Sequence, residues 1–204
     1  MHWRALSAAA TIAAAACTTT TQRSSTPPVL SPAARASYTP ADVHFMSGMI
    51  AHHAQAVLMA GWAPAHGASA SLRTLCERIV VGQSDEIVIM QRWLRDRHET
   101  LPDADVSHAM MPGMNHAALM PGMLTPAQLM QLDSARGPEF DRLFLTFMIQ
   151  HHLGAITMVN ELFGSKGGGE EEIVFRFASD VYADQTTEIA RMNRMLDALK
   201  RSPS

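Results

Sequence analysis

From Thr39 to Lys200 the apolar positions recur at three- and four-residue spacing, and no stretch alternates every second residue. The chain therefore reads as helices with no sheet. Thr39-Pro40 followed by Asp42 predicts a helix start, with a cap, a proline in the first turn and an acid beside it. That helix should run to about Trp62, before Pro64 and Gly67. A second should run from about Ser69 to Arg95. Thr125-Pro126 with Gln128 predicts a short helix stopping near Gly137. Pro138 opens a third long helix that ends at Gly164. After the Gly167–Gly169 turn, Glu170, Glu171 and Glu172 favour the start of a last helix that reaches about Lys200.

The pattern is doubled. Phe45–Met59 (FMSGMIAHHAQAVLM) returns as Phe144–Met158 (FLTFMIQHHLGAITM), 99 residues on. Met49 matches Met148, His52-His53 matches His151-His152, Met59 matches Met158, and Asp42 matches Asp141. At an offset of 102, Gln83, Glu86, Ile87, Met90 and Leu94 match Gln185, Glu188, Ile189, Met192 and Leu196. Each repeat is a helix, a turn and a helix. Two such hairpins predict an all-α, ferritin-like four-helix bundle with a pseudo-two-fold axis. Repeat one spans 38–96, the connection 97–137 and repeat two 138–201.

At 100° per residue, Phe45, Met49, His52, His53, Ala56 and Met59 fall within one arc of roughly 120°. Gln83, Glu86 and Met90 share the inward face of the second helix. Polar groups thus sit on otherwise apolar, core-facing stripes, which is costly unless they are paired or ligate something. Two readings follow. Either each His hydrogen-bonds a Gln or Glu across the bundle, or His52, His53, His151 and His152 hold a metal with Met49, Met59, Met148 and Met158. In the second reading Glu86 and Glu188 steady the histidines from behind. Met also fills helical cores well, so packing alone accounts for the inward Met residues about as readily.

The connection carries a different signal. MPGM occurs at Met111–Met114 and at Met120–Met123, and His108–Met130 holds six Met and two His in 23 residues. Pro and Gly exclude a regular helix there, so core packing explains these Met poorly. Met111, Met114, His116, Met120 and Met123 make a candidate loop site for a soft ion such as Cu(I).

Composition narrows the field. Met occurs 15 times and His 10 times in 204 residues, and the formal charge is −3 with no basic run, which gives no reason to expect nucleic acid. Residues 1–17 (MHWRALSAAATIAAAAC) carry Arg4 and an Ala-rich stretch too short to span a bilayer, which reads as an export signal. Ala14-Ala15-Ala16-Cys17 resembles a bacterial lipobox, predicting lipidation at Cys17 and a periplasmic, membrane-anchored protein. Residues 18–37, rich in Thr, Ser, Pro and Ala, read as a tether, and the folded domain as 38–204. Cys76 is then a lone thiol, expected to be a small buried hydrophobe.

The pattern FMxxMIxHHxxAxxMA, followed by MPGM and then EFDxLFLxxMIxHHxGAIxM, resembles the family called domain of unknown function 305 over about residues 38–200. The resemblance implies an exported bacterial protein with a ferritin-like bundle. It also implies the association with copper binding and copper resistance that some members show, and no established enzymatic activity. The family's motif positions map onto Met49, His52, His53, Met59, Met148, His151, His152 and Met158. Trp62 and Val159 depart from the usual pattern without changing a ligand type.

Three functions compete. The first is copper binding, sequestration or delivery, with Cu(I) favoured. The second is a non-catalytic interaction module with structural histidines. The third is a di-metal oxidase, which needs Glu-x-x-His pairs. Glu86 and Glu188 are instead followed by Ile89 and Arg191. No GxSxG occurs, and the triple glycine lacks the Lys-Ser/Thr of a phosphate loop. A homo-oligomer stays open, and no protein partner is indicated.

Overall fold

The computed structural model describes residues 37–102 and 120–201. The segment expected to be an export signal, Cys17, the expected tether up to residue 36, and Met111, Met114 and His116 lie outside the described residues. Five helices follow in order: α1 Pro40–Gly61, α2 Ala70–Asp96, α3 Pro126–Ser134, α4 Gly137–Gly164 and α5 Glu172–Arg201. No strand occurs among the described residues.

The caps explain the boundaries. Thr39 accepts from Asp42 N at 3.3 Å while Asp42 Oδ2 accepts from Thr39 N at 2.6 Å, a reciprocal capping box. Thr125 and Gln128 repeat this device at α3. Ser69 caps α2 by accepting from Leu72 N. Gly67, Gly167 and Gly169 have positive φ in the turns that reverse the chain.

Helix α1 packs closely on α2, and α4 on α5, so each repeat is an antiparallel hairpin. The hairpins meet along α1 and α4, and α3 lies on α4. Asp42 and Asp141, matched in the repeats, clasp the hairpins reciprocally. Asp42 on α1 accepts from Gly169 N, ahead of α5, at 2.7 Å. Asp141 on α4 accepts from Ser69 N, ahead of α2, at 3.2 and 3.3 Å. Both carboxylates are buried, and each satisfies a backbone N–H in the turn that leads into the facing helix.

The core divides in two. One apolar cluster gathers Met59, Leu72, Leu75, Phe140, Phe144, Met148 and Met192. The other gathers Phe45, Met49, Ile50, Met90, Met158 and Phe177. Matched methionines fall in opposite clusters, as a two-fold relation between hairpins requires. Cys76 is buried in the first cluster, and burial pushes its thiol up to about 12. That fits a packing residue rather than a nucleophile. Among the described residues no helix is long and apolar enough to cross a membrane.

Candidate metal centre

Between the two clusters, at mid-height of the four long helices, lies a polar layer. His52, His53, His151 and His152 are all 0% exposed. The i, i+1 pairs on α1 and α4 splay around the helix. His52 and His151 turn toward each other, with ring centroids 3.7 Å apart and planes tilted by 38°. His53 and His152 turn outward to α2 and α5. There His53 Nε2 donates to Glu86 Oε2 at 2.7 Å, and His152 Nε2 donates to Glu188 Oε2 at 2.7 Å.

These bonds settle the tautomers. A carboxylate only accepts, so Nε2 of His53 and of His152 carries the proton, and in the neutral ring Nδ1 carries a bare lone pair. His52 Nε2 likewise donates to the carbonyl of Pro121 at 3.0 Å. Among the described residues, the Nδ1 atoms of His52, His53 and His152 and both ring nitrogens of His151 are buried with no hydrogen-bond partner. Gln83 and Gln185 are also buried beside the layer, with both amide atoms of Gln83 and Oε1 of Gln185 unpartnered. Buried polar atoms left unpaired in such number call for an explanation.

Electrostatics disfavour charge on three of the four rings. His52 is pushed down to about 3, by burial first and then by neighbouring His53. His151 is held well below the usual imidazole range, by burial and then by His52. Burial lowers His152 too, with the Glu188 hydrogen bond pulling the other way. Neutral imidazoles can ligate a metal without first losing a proton.

The thioethers flank this layer. Met49 and Met158 lie on one side and Met59 and Met148 on the other, all buried. Among the described residues no three His, Cys, Asp or Glu side chains form a group that could hold a metal ion. Glu86 and Glu188, the partners of His53 and His152, instead face one common space. A cavity of ≈ 170 Å³ opens between α2 and α5, lined by Gln83, Glu86, Asp184, Gln185 and Glu188. The carboxyl of Asp184 is raised there by burial, then by Glu86 and Glu188.

On the opposite side the second MPGM closes the layer. Its Pro121-Gly122 turn lies against α4 so tightly that a Cβ on Gly154 would overlap the Pro121 carbonyl. Gln55 Nε2 donates to Leu124 O at 3.1 Å, and Leu124 N donates to Gln55 Oε1 at 2.7 Å. Gln150 Nε2 donates to Gly122 O at 3.3 Å. Met120 packs against the second apolar cluster, and Met123 is half-buried. The expectation that core packing explains the connection's Met poorly therefore fails for Met120. A Pro-Gly turn interrupts helix but still presents its neighbours to a groove.

The sequence reading missed two polar residues that the fold uses, Gln55 and His66, and placed Glu171 at the start of the last helix without its partners on α2. Gln55 anchors the connection, although its counterpart, Gly154, breaks the repeat. Buried His66 hydrogen-bonds the carbonyls of Trp62 and Asp133 and the Asp133 carboxylate, tying α3 to the end of α1. Glu171 accepts from Trp93 Nε1, Arg97 and Val174 N, pinning the start of α5 to the end of α2. The mismatch at Gln55 and the acidic run that holds Glu171 left signals in the sequence, whereas His66 left none.

Solved structures share this architecture. A candidate secreted protein of the same domain family from Streptomyces coelicolor superposes with a TM-score of 0.63 at 26% identity, covering 80% of this chain and 96% of that one. A family fragment from Deinococcus radiodurans gives a TM-score of 0.66 at 26% identity, covering 79% of this chain and 98% of that one. CopM in its Cu(II)-bound form gives 0.62 at 26% identity, covering 77% of this chain and 96% of that one. No curated protein sequence matches the chain. The model of the family described as domain of unknown function (DUF305) matches residues 42–196, from the Asp42 clasp to Leu196 on α5, and the chain belongs to that family.

Proposed function

We propose that this is an exported metal-binding protein that takes up copper, with Cu(I) favoured, on a ferritin-like four-helix bundle. The observation that carries the reading is the set of buried Nδ1 lone pairs at His52, His53 and His152. In two of these rings the opposite N–H is held by a carboxylate. A histidine that ligates a metal is typically steadied in this way, through its second nitrogen. Neutral thioethers above and below add soft donors suited to Cu(I). The likeness to CopM in its Cu(II)-bound form supports the same class of ion. Because the His side chains do not already converge, uptake would require the rings to rotate or the Met residues to complete the shell.

The role is sequestration or delivery rather than catalysis, since the donor set lacks the carboxylates of a di-metal oxidase. The Ala-rich leader and Cys17 would place the protein on the periplasmic side of the membrane, held by a lipid anchor. One alternative has direct support: the His53–Glu86 and His152–Glu188 bonds also suit a purely structural layer.

Anaerobic Cu(I) titration against a competing chelator, with Zn(II) and Fe(II) as controls, separates the two. Tight Cu(I) uptake that disappears when His52, His53, His151 and His152 become Ala is expected. Unchanged stoichiometry and affinity in that variant would sink the layer as the site. A melting temperature indifferent to copper, with no uptake by the unaltered chain, would favour the structural layer.

A further inference from the structure

A second set of soft donors meets at the surface and reaches inward to Met158, one of the thioethers that flank the histidine layer. A cavity of ≈ 280 Å³ lies between the start of α1 and the end of α4, beneath the connection. Three segments supply its donors: His44 from α1, Met158 and Glu161 from α4, and Met120 from the connection. Gly48, one turn beyond His44, lets the two thioethers approach each other. A Cβ built there would overlap the Met120 methyl and lie 3.5 Å from that of Met158. His44 is exposed while Met158 is 3% exposed, so the donors run from solvent to the edge of the core. Hairpin two has no equivalent, because Leu143 and Phe147 stand where hairpin one has His44 and Gly48.

We propose that Met120, Met158 and His44 form a separate peripheral site for a soft monovalent cation, Cu(I) or Ag(I), with Glu161 balancing its charge. Two neutral sulfurs and one imidazole match the preference of such ions for soft ligands, and the same set binds hard divalent ions poorly. The site joins the connection to the bundle, so ion binding would fasten the second MPGM onto α1 and α4. The class of ion rests on the soft-metal reading above; the location rests on the cavity alone.

The test is Ag(I) titration of the full chain carrying 13C-methyl methionine, followed by NMR, with Zn(II) as control. Met120→Leu and Met158→Leu, close in volume to Met, assign the two methyl signals. Both signals should shift together with one midpoint on adding Ag(I), and neither should move with Zn(II). Met120→Leu should abolish the Met158 response, and His44→Ala, at an exposed position, should weaken it at least tenfold. The paired shift should persist in a folded His52→Ala/His151→Ala variant, whatever that variant does to uptake in the layer. Methyl signals that stay still at saturating Ag(I), respond with unrelated midpoints, or lose their response with the layer histidines would overturn the site.

Discussion

Hairpin one and hairpin two place the same chemistry at the same height and differ where the connection touches them. His53–Glu86 and His152–Glu188 match to 2.7 Å in each. Asp42 and Asp141 perform the same clasp in opposite directions. The departures cluster on one face: Gly48 against Phe147, Ala51 against Gln150, and Gln55 against Gly154. Gly48 and Gly154 make room for Met120 and for the Pro121-Gly122 turn. Gln55 and Gln150 bind the backbone of the same segment. The doubled core is thus common to both halves, and the asymmetry belongs to the strap laid across them. His52 gains the Pro121 carbonyl from that strap, whereas His151, its tilted counterpart, finds no partner for either nitrogen among the described residues.

The largest effect should come from acidifying the shared layer, since it strikes both hairpins at once. His52, His151 and His152 all titrate below the ordinary imidazole range when folded. Below a pH of about 6.5 the unfolded chain binds protons that the folded chain refuses, so stability falls as pH falls. For His52 this loss continues toward a pH of about 3. His52 alone should cost about 2 kcal/mol between pH 7 and pH 5, and His151 and His152 add to the loss in the same direction. Denaturant unfolding of the metal-free protein across this range reads it directly. A flat profile would mean the rings are solvated or already charged.

Breaking the asymmetry comes next. Gly154→Ala puts a Cβ into the Pro121 backbone, which has no flexible end to swing aside. The clash should outweigh the better helix propensity of Ala and destabilise by about 2–3 kcal/mol. Gly82→Ala on α2, with nothing within 4 Å of its added carbon, should instead stabilise by roughly 0.5–1 kcal/mol. If both substitutions behaved alike in chemical denaturation, the strap would not be seated as described.

The symmetric partners test the other half of the comparison. Glu86→Ala and Glu188→Ala each strand a buried imidazole N–H and should each cost about 1–3 kcal/mol. The two values should agree within roughly 0.5 kcal/mol, because the pairs are geometrically alike and face the same cavity. A clear inequality, measured by denaturant unfolding, would show that the strap's influence reaches past His52 and His151 into the outer pairs.

How much of this could be read from the sequence follows from the same division. The repeat declared both hairpins, because helix caps and 3.6-residue periodicity are local properties. Thr39-Pro40, Thr125-Pro126 and Gly164 marked boundaries that the helices keep within a residue or two. The inward placement of the histidines followed from helical arithmetic, as did that of Gln83 and Gln185. What each ring pairs with did not follow, since i, i+1 histidines splay and only the packed partner decides which faces carboxylate and which faces imidazole. The strap was illegible for another reason. MPGM has no period, and its docking depends on grooves that exist only once α1 and α4 pack. Its trace lay in the mismatched repeat positions, where Gln55 met Gly154, a difference that looks like drift until a third segment is laid across it.

The smallest effect should come from Gly48→Ala, and it sharpens where the strap is held. Alanine gains roughly 0.8–1 kcal/mol of helix propensity over glycine. Its Cβ would overlap the Met120 terminal methyl, but that group ends a thioether with three rotatable bonds that can swing away. The two terms should nearly cancel, leaving a change within about 0.5 kcal/mol in denaturant unfolding. Gly154→Ala has no such relief, because its obstacle is backbone. A Gly48→Ala cost rivalling that of Gly154→Ala would mean that Met120 is clamped as firmly as Pro121, and the strap would be anchored at two rigid points. The expected near-zero change means that the turn fixes the strap and leaves the thioether free to rotate toward a ligand.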